Sequence, residues 1–106
     1  MKETAYLACI VVLLSACSNE PSADAVKQAF RSDYGRLLAQ YGGSLRTVDS
    51  LTINSCQETP DKTYNCSFDV AFTYWDDGRQ KTLSVNETKR AILSNKSGNW
   101  RMRLTP

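Results

Sequence analysis

Between Tyr64 and Tyr74 the chain alternates without a break. Tyr64, Cys66, Phe68, Val70, Phe72 and Tyr74 are apolar or aromatic, while Asn65, Ser67, Asp69, Ala71 and Thr73 between them are small or polar. A period of two marks a strand with one buried face, and this is the strongest strand in the chain. Upstream the period changes. From Ser22 to Tyr41, the residues Val26, Ala29, Phe30, Tyr34, Leu37, Leu38 and Tyr41 recur at spacings of three and four, which puts them on one face of a helix. Ser22 is a capping residue, Asp24 suits the positive end of the helix dipole, and Gly42-Gly43 ends the element. Gly35, inside the helix, costs about 1 kcal/mol relative to Ala and is expected at a close packing contact.

The rest of the chain reads as strands and turns. Leu51-Thr52-Ile53 makes a short strand, joined through the turn sequence Thr59-Pro60-Asp61 to the strong one. Asp77-Gly78 is a type I′ hairpin signal, leading into a long strand through Leu83 and Val85 to Ile92. Asn95-Lys96-Ser97-Gly98 then turns into Trp100, Met102 and Leu104, alternating with Arg101 and Arg103. The predicted class is α+β, with one N-terminal helix packed across a four-stranded antiparallel meander.

The register of the first hairpin carries a conflict. If Cys56 faces Cys66 with no irregularity, Ile53 stands opposite Asp69 and the apolar sides of the two strands point to different faces. A one-residue slip reverses every side chain, so either a β-bulge lies between Ile53 and Cys56 or the first strand is shorter than drawn.

Residues Ala5 to Leu14 are an almost unbroken apolar run that ends in small residues. At about 15 Å as a helix it falls short of the ~20 residues that span a bilayer, and it reads as the core of a secretory signal. Its end, Leu14-Ser15-Ala16-Cys17, resembles the lipobox of bacterial lipoproteins. The resemblance implies cleavage before Cys17, acylation of Cys17 and stable attachment to a membrane, since two or three acyl chains exceed what lasting anchorage needs. Ser18 at the next position resembles the pattern sent to the outer membrane in a Gram-negative cell. The resulting division is a signal peptide over 1–16, a short tether over 17–21 and one domain over 22–106.

Composition sharpens this picture. The chain has 106 residues, four cysteines and no histidine, with 13 Lys+Arg against 11 Asp+Glu. Cys9 leaves with the signal and Cys17 carries lipid, so Cys56 and Cys66 are expected to form one disulfide in an oxidising compartment. Without histidine, the usual general base, the Ser-His and Cys-His nucleophiles and imidazole-based zinc sites are all missing. Two thiols make a poor metal site, so neither metal nor cofactor is expected. A net charge of +2 is too small for a nucleic-acid footprint.

Few residues invite catalysis. Asp76 and Asp77 adjoin the hairpin glycine and serve the turn, Asp69 is either solvated or a carboxylate in a cup, and Glu87 falls in a polar stretch expected to be bulged or exposed. Lys89, Arg90, Arg101 and Arg103, with Lys81 and Arg79, are read as a solvated face, an edge guard or a basic strip on the outer sheet face.

The helix-then-sheet order and the closing Gly98-Asn99-Trp100-Arg101-Met102 resemble cystatin-like or nuclear-transport-factor-like α+β lipoproteins, a resemblance that implies fold alone. The functional expectation is a lipid-anchored envelope protein, on the periplasmic face of the outer membrane in a Gram-negative cell. Its domain would bind an envelope protein as an inhibitor, immunity or assembly module. The alternative is a cup for a small apolar or glycan ligand, lined by Phe30, Tyr34, Phe68, Phe72 and Trp100, with Arg101 and Arg103 joining the partner surface. An enzyme comes third, and no catalytic residue is assigned.

Overall fold

In a computed structural model, residues 20–96 and 98–105 are described. The apolar run, the lipobox, Cys9 and Cys17 lie outside the described residues. The helix, α1, is α-helical over Ala23–Ala29, π-helical over Phe30–Tyr34 and α-helical again over Gly35–Gln40. Four strands follow: β1 (Gly43–Glu58), β2 (Tyr64–Asp76), β3 (Lys81–Lys96) and β4 (Asn99–Thr105). They form one antiparallel sheet in the order β1-β2-β3-β4, so the chain is α+β with a meander. The body is long, 63 × 26 × 23 Å, because three of the strands are.

Ser22 caps α1, its Oγ accepting from the Ala25 N–H at 3.1 Å, and the residue before it, Pro21, is already buried. The Glu20 and Glu58 carboxylates lie near Tyr64, whose phenol is pushed above its ordinary range by burial and then by those charges. At the other end Gly42, at φ 79°, turns the chain, and its carbonyl accepts from the Asp77 N–H at 2.9 Å. The helix therefore lies along β2, with its start toward Tyr64 and its end toward Asp76.

The first half of α1 buries the expected face, Val26, Ala29 and Phe30. The second half does not: no residue of Gly35–Gln40 is buried, Leu37 is 38% exposed and Tyr41 80%. A π-turn takes up one residue more than an α-turn, so the spacing of three and four no longer tracks a single face beyond it. Gly35 packs over Leu45, but a Cβ there would sit 3.9 Å from the Leu45 Cβ, an ordinary contact. Close approach does not require this glycine.

β1 starts at Gly43, well before Leu51. Its register against β2 shifts three times, between Leu45 and Thr47, Val48 and Ser50, and Ile53 and Ser55. Arg46, Asp49 and Asn54 are the extra residues, and each bulge returns the following apolar side chain to the helix side. Leu45, Val48, Leu51, Ile53 and Cys56 thus all pack on the core with no fixed period. The third shift is the bulge expected between Ile53 and Cys56. It sets Ile53 opposite Phe68 and Cys56 opposite Cys66, and the two cysteines are bonded.

The β2–β3 connection is not a two-residue type I′ turn. Asp77–Gln80 form a four-residue loop closed by Gln80 N–H to the Asp76 carbonyl at 2.8 Å, with Gln80 at φ 55°. Asp76 Oδ1 accepts from the Gly78 and Arg79 N–H groups at 2.9 and 3.3 Å, which favours the wider loop. β3 pairs with β2 without a bulge, so its helix side is Leu83, Val85, Glu87, Lys89, Ala91 and Leu93. Glu87 is thus in a regular strand, and Ile92 faces outward.

Candidate functional site

The two edge strands of this sheet, β1 and β4, are guarded by local devices, and the part of β3 that outlasts β4 is open. Along β1 the bulges twist and interrupt the edge, a common guard against pairing with other chains. Along β4 the guard is Asp33, which the π-turn of α1 places beside the strand. Asp33 Oδ2 accepts the outward N–H of Met102 at 2.7 Å, and Oδ1 accepts from Arg101 Nη2 at 3.0 Å and Arg36 Nη1 at 3.1 Å. Burial alone would raise the Asp33 carboxyl, but the Arg101 bond, the Met102 N–H and the charges of Arg101 and Arg36 outweigh it and hold it below the ordinary range.

β4 is shorter than its neighbour. It pairs with β3 only from Arg90 opposite Thr105 to Lys96 opposite Asn99. From Lys81 to Lys89, β3 is bonded to β2 on one side and, among the described residues, to no strand on the other. The Met102 N–H points away from β3, so its pair Leu93 addresses β2, and by alternation Thr82, Ser84, Asn86 and Thr88 address the open side. Among the described residues, their backbone N–H and C=O groups form an unpaired row.

The floor beside that row is half apolar and half charged. Leu83 and Val85 are half-buried. Lys89 Nζ lies 2.9 Å from Glu87 Oε1 and 5.2 Å over the Tyr34 ring, a cation–π contact that buries much of the lysine stem. Burial pushes the Tyr34 phenol up, Lys89 opposes that shift and Glu87 adds to it. Where β4 runs out, Thr88, Lys89, Arg90, Leu104 and Thr105 line a notch of about 270 Å³. Leu104 also borders a groove of about 230 Å³ lined by Asp33, Tyr34, Leu37, Met102 and Arg103. Edge, notch and groove form one continuous surface.

The rings expected to line a cup fill the space instead. Phe30 and Phe68 are 0% exposed and Phe72 1%, and Phe30 lies 5.3 Å from Phe72 and 6.1 Å from Phe68, centroid to centroid. Tyr34 stacks on Phe30 at 4.6 Å. Trp100 stands apart from them, edge-on to Tyr64 at 5.9 Å. Helix and sheet close on each other here because large side chains project from both.

The basic residues divide between faces. Arg90, Arg101 and Arg103 lie on the outer side, with Arg101 drawn to Asp33, while Lys81 and Lys89 are on the helix side. Asp69 is exposed on the outer face and ties three strands together, accepting from Thr88 Oγ1 at 2.6 Å and Asn54 Nδ2 at 3.0 Å. Those two bonds, Thr88 first, hold its carboxyl below the ordinary range. Asp77 Oδ1 accepts from Trp75 Nε1 at 2.7 Å, and Asp76 serves the loop.

Asp33 carries no signal in the sequence, since its role depends on the π-turn. Lys81 and Lys89, expected in a strip on the outer face, and Glu87, expected in a bulged or exposed stretch, face the helix side instead; the signal that could have placed them is that they continue the parity of Leu83 and Val85. Among the described residues no helix is long and apolar enough to cross a membrane, and no group of three or more His, Cys, Asp or Glu is placed to hold a metal ion. No protein-family model, curated protein or solved structure matches the chain.

Proposed function

We propose that the chain is a lipid-anchored cell-envelope protein whose domain binds a macromolecular partner at the membrane surface, through the open edge of β3 and the notch beside Leu104. The unpaired row from Thr82 to Thr88 carries this reading. An exposed edge accepts an extended segment through backbone hydrogen bonds, and the adjoining side chains select what lies on it. Leu83 and Val85 supply apolar contact, Glu87 and Lys89 supply charge, and Leu104 marks where an added strand would meet β4.

The anchor reading rests on Leu14-Ser15-Ala16-Cys17 and on Ser18, which favours the outer membrane of a Gram-negative cell. The burial of Pro21 supports a close attachment, because only Ser18 to Glu20 then separate Cys17 from the folded body. A chain that short reaches about 15 Å at most, so the partner meets the domain at the membrane. On this reading the helix-plus-meander is of the cystatin-like kind, and the module acts as an inhibitor, immunity or assembly factor.

Two measurements test it. Cys17→Ala is expected to move the chain from the membrane to the soluble fraction, and unchanged fractionation refutes the anchor. A photo-crosslinking residue at Ser84 in intact envelopes is expected to capture a protein, whereas one at Ser50 on β1 is not. Equal or absent capture at the two positions refutes binding through the edge.

A further inference from the structure

We infer that the open edge of β3 is built for a second copy of this chain, paired antiparallel about a two-fold axis through Ser84. The inference rests on the proposed use of that edge and names its partner. Thr82, Ser84 and Asn86 carry the outward backbone groups, so an axis at Ser84 lets Ser84 exchange hydrogen bonds with its own copy and Thr82 with Asn86 of the other. About six backbone bonds form in this register.

The side chains choose the same register. On the helix side Lys81 meets Glu87 of the other copy, and Leu83 meets Val85, each twice by symmetry. These are the closer, non-hydrogen-bonded positions of an antiparallel pair, where opposite charges and apolar neighbours both stabilise. An axis at Val85 instead sets Lys81 against Lys89 and Leu83 against Glu87. An axis at Asn86 leaves Leu83 against Lys89 and Val85 against Glu87. Inward charges on an edge commonly deter pairing, but deterrence relies on like charges meeting. Here the two signs are spaced so that a copy matches them, and Glu87, which meets Lys89 within its own chain at 2.9 Å but keeps 52% of its side chain exposed, is reachable by Lys81 of the copy. A pairing from Lys81 to Glu87 is at the small end of stable interfaces, so it is tested where the copies are concentrated, in intact cells.

The experiment expresses the full chain carrying Ser84→Cys and applies a short bis-maleimide crosslinker, with the parent chain and Ser50→Cys as controls. A product of twice the chain mass is expected from Ser84→Cys alone. Adding Lys81→Glu or Glu87→Lys is expected to cut that product by about tenfold, because symmetry makes each change spoil two contacts. Lys81→Glu with Glu87→Lys is expected to restore it, since the swapped charges meet again. Mapping of the Cys56–Cys66 bond reports whether each variant has folded. No more product than from Ser50→Cys, or no restoration by the double swap, overturns the inference. Capture of a different protein by the photo-crosslinking residue at Ser84, without the doubled chain, overturns it while leaving binding at the edge intact. Absence of the doubled chain together with no photo-crosslinked protein at Ser84 overturns both.

Discussion

The carboxylate of Asp33 accepts the backbone N–H of Met102 at 2.7 Å, across 69 residues of chain. A helix side chain thus satisfies an edge strand, and it does so from inside a π-turn. Arg36 and the Arg101 Nη2 bond the other oxygen and Arg101 Nε lies 3.3 Å from both, yet the side chains of Arg101 and Arg36 are 56% and 59% exposed while that of Asp33 is 9% exposed. Solvent screens the arginines, so the bond to Met102 dominates. Asp33→Ala should cost about 1–3 kcal/mol in urea unfolding, the range for a hydrogen bond to a charged group. Arg101→Ala should cost clearly less, and equal losses would show that the ion pair carries the contact.

The same carboxylate sets an acid dependence. Its pKa is lowered in the folded chain, so its stabilisation is complete above the unfolded-state value of about 4 and is lost as pH falls through the folded value. The gap in unfolding free energy between the parent and Asp33→Ala should be constant near neutrality and narrow below about pH 4. A gap that persists at pH 2 would contradict this.

Asn54 is the extra residue in a two-against-one arrangement, so its removal leaves a regular ladder with Cys56 still facing Cys66. Deleting it should preserve the disulfide in peptide mapping and cost only the exposed bond to Asp69, about 1 kcal/mol or less. Deleting Ser67 from β2 should abolish the disulfide, because Cys66 and Phe68 would then point to opposite faces.

Replacing Cys56 and Cys66 together by Ala should cost about 2–3 kcal/mol, the chain-entropy value for a loop this short. Thermal unfolding of that variant against the parent measures it.

Phe30 separates a filled core from a lined cup. A ring bordering an empty cup is cheap to truncate, whereas one packed as Phe30 is should cost about 3–5 kcal/mol on replacement by Ala. Chemical denaturation decides between them.

The elements that follow one period throughout were open to reading from sequence. β2 keeps strict alternation, and it starts where the alternation starts, at Tyr64, and ends two residues past it, at Asp76. The conflict between Ile53 and Cys56 pointed to a bulge or a shorter first strand, and the bulge is the remedy the fold uses. What escaped were the places where period breaks. Two bulges, at Arg46 and Asp49, hid the first half of β1 behind spacings of three, and a π-turn made Leu37 and Tyr41 look like core. Asp33 was invisible because its role depends on the π-turn, and the open edge of β3 because it depends on how far one strand outlasts its neighbour.

The course of α1 also decides how the domain bears load. Its first turn lies by Tyr64 and its end by Asp76, so it is laid along β2 lengthwise. A pull on residue 20 directed along α1 loads the helix lengthwise and does not peel it away one turn at a time. It must slide Phe30 and Tyr34 past Phe68 and Phe72 together, which is shear, the direction in which interlocked side chains resist most. A body held by its amino-terminal end would in this way transmit tension through its core before losing any part of it.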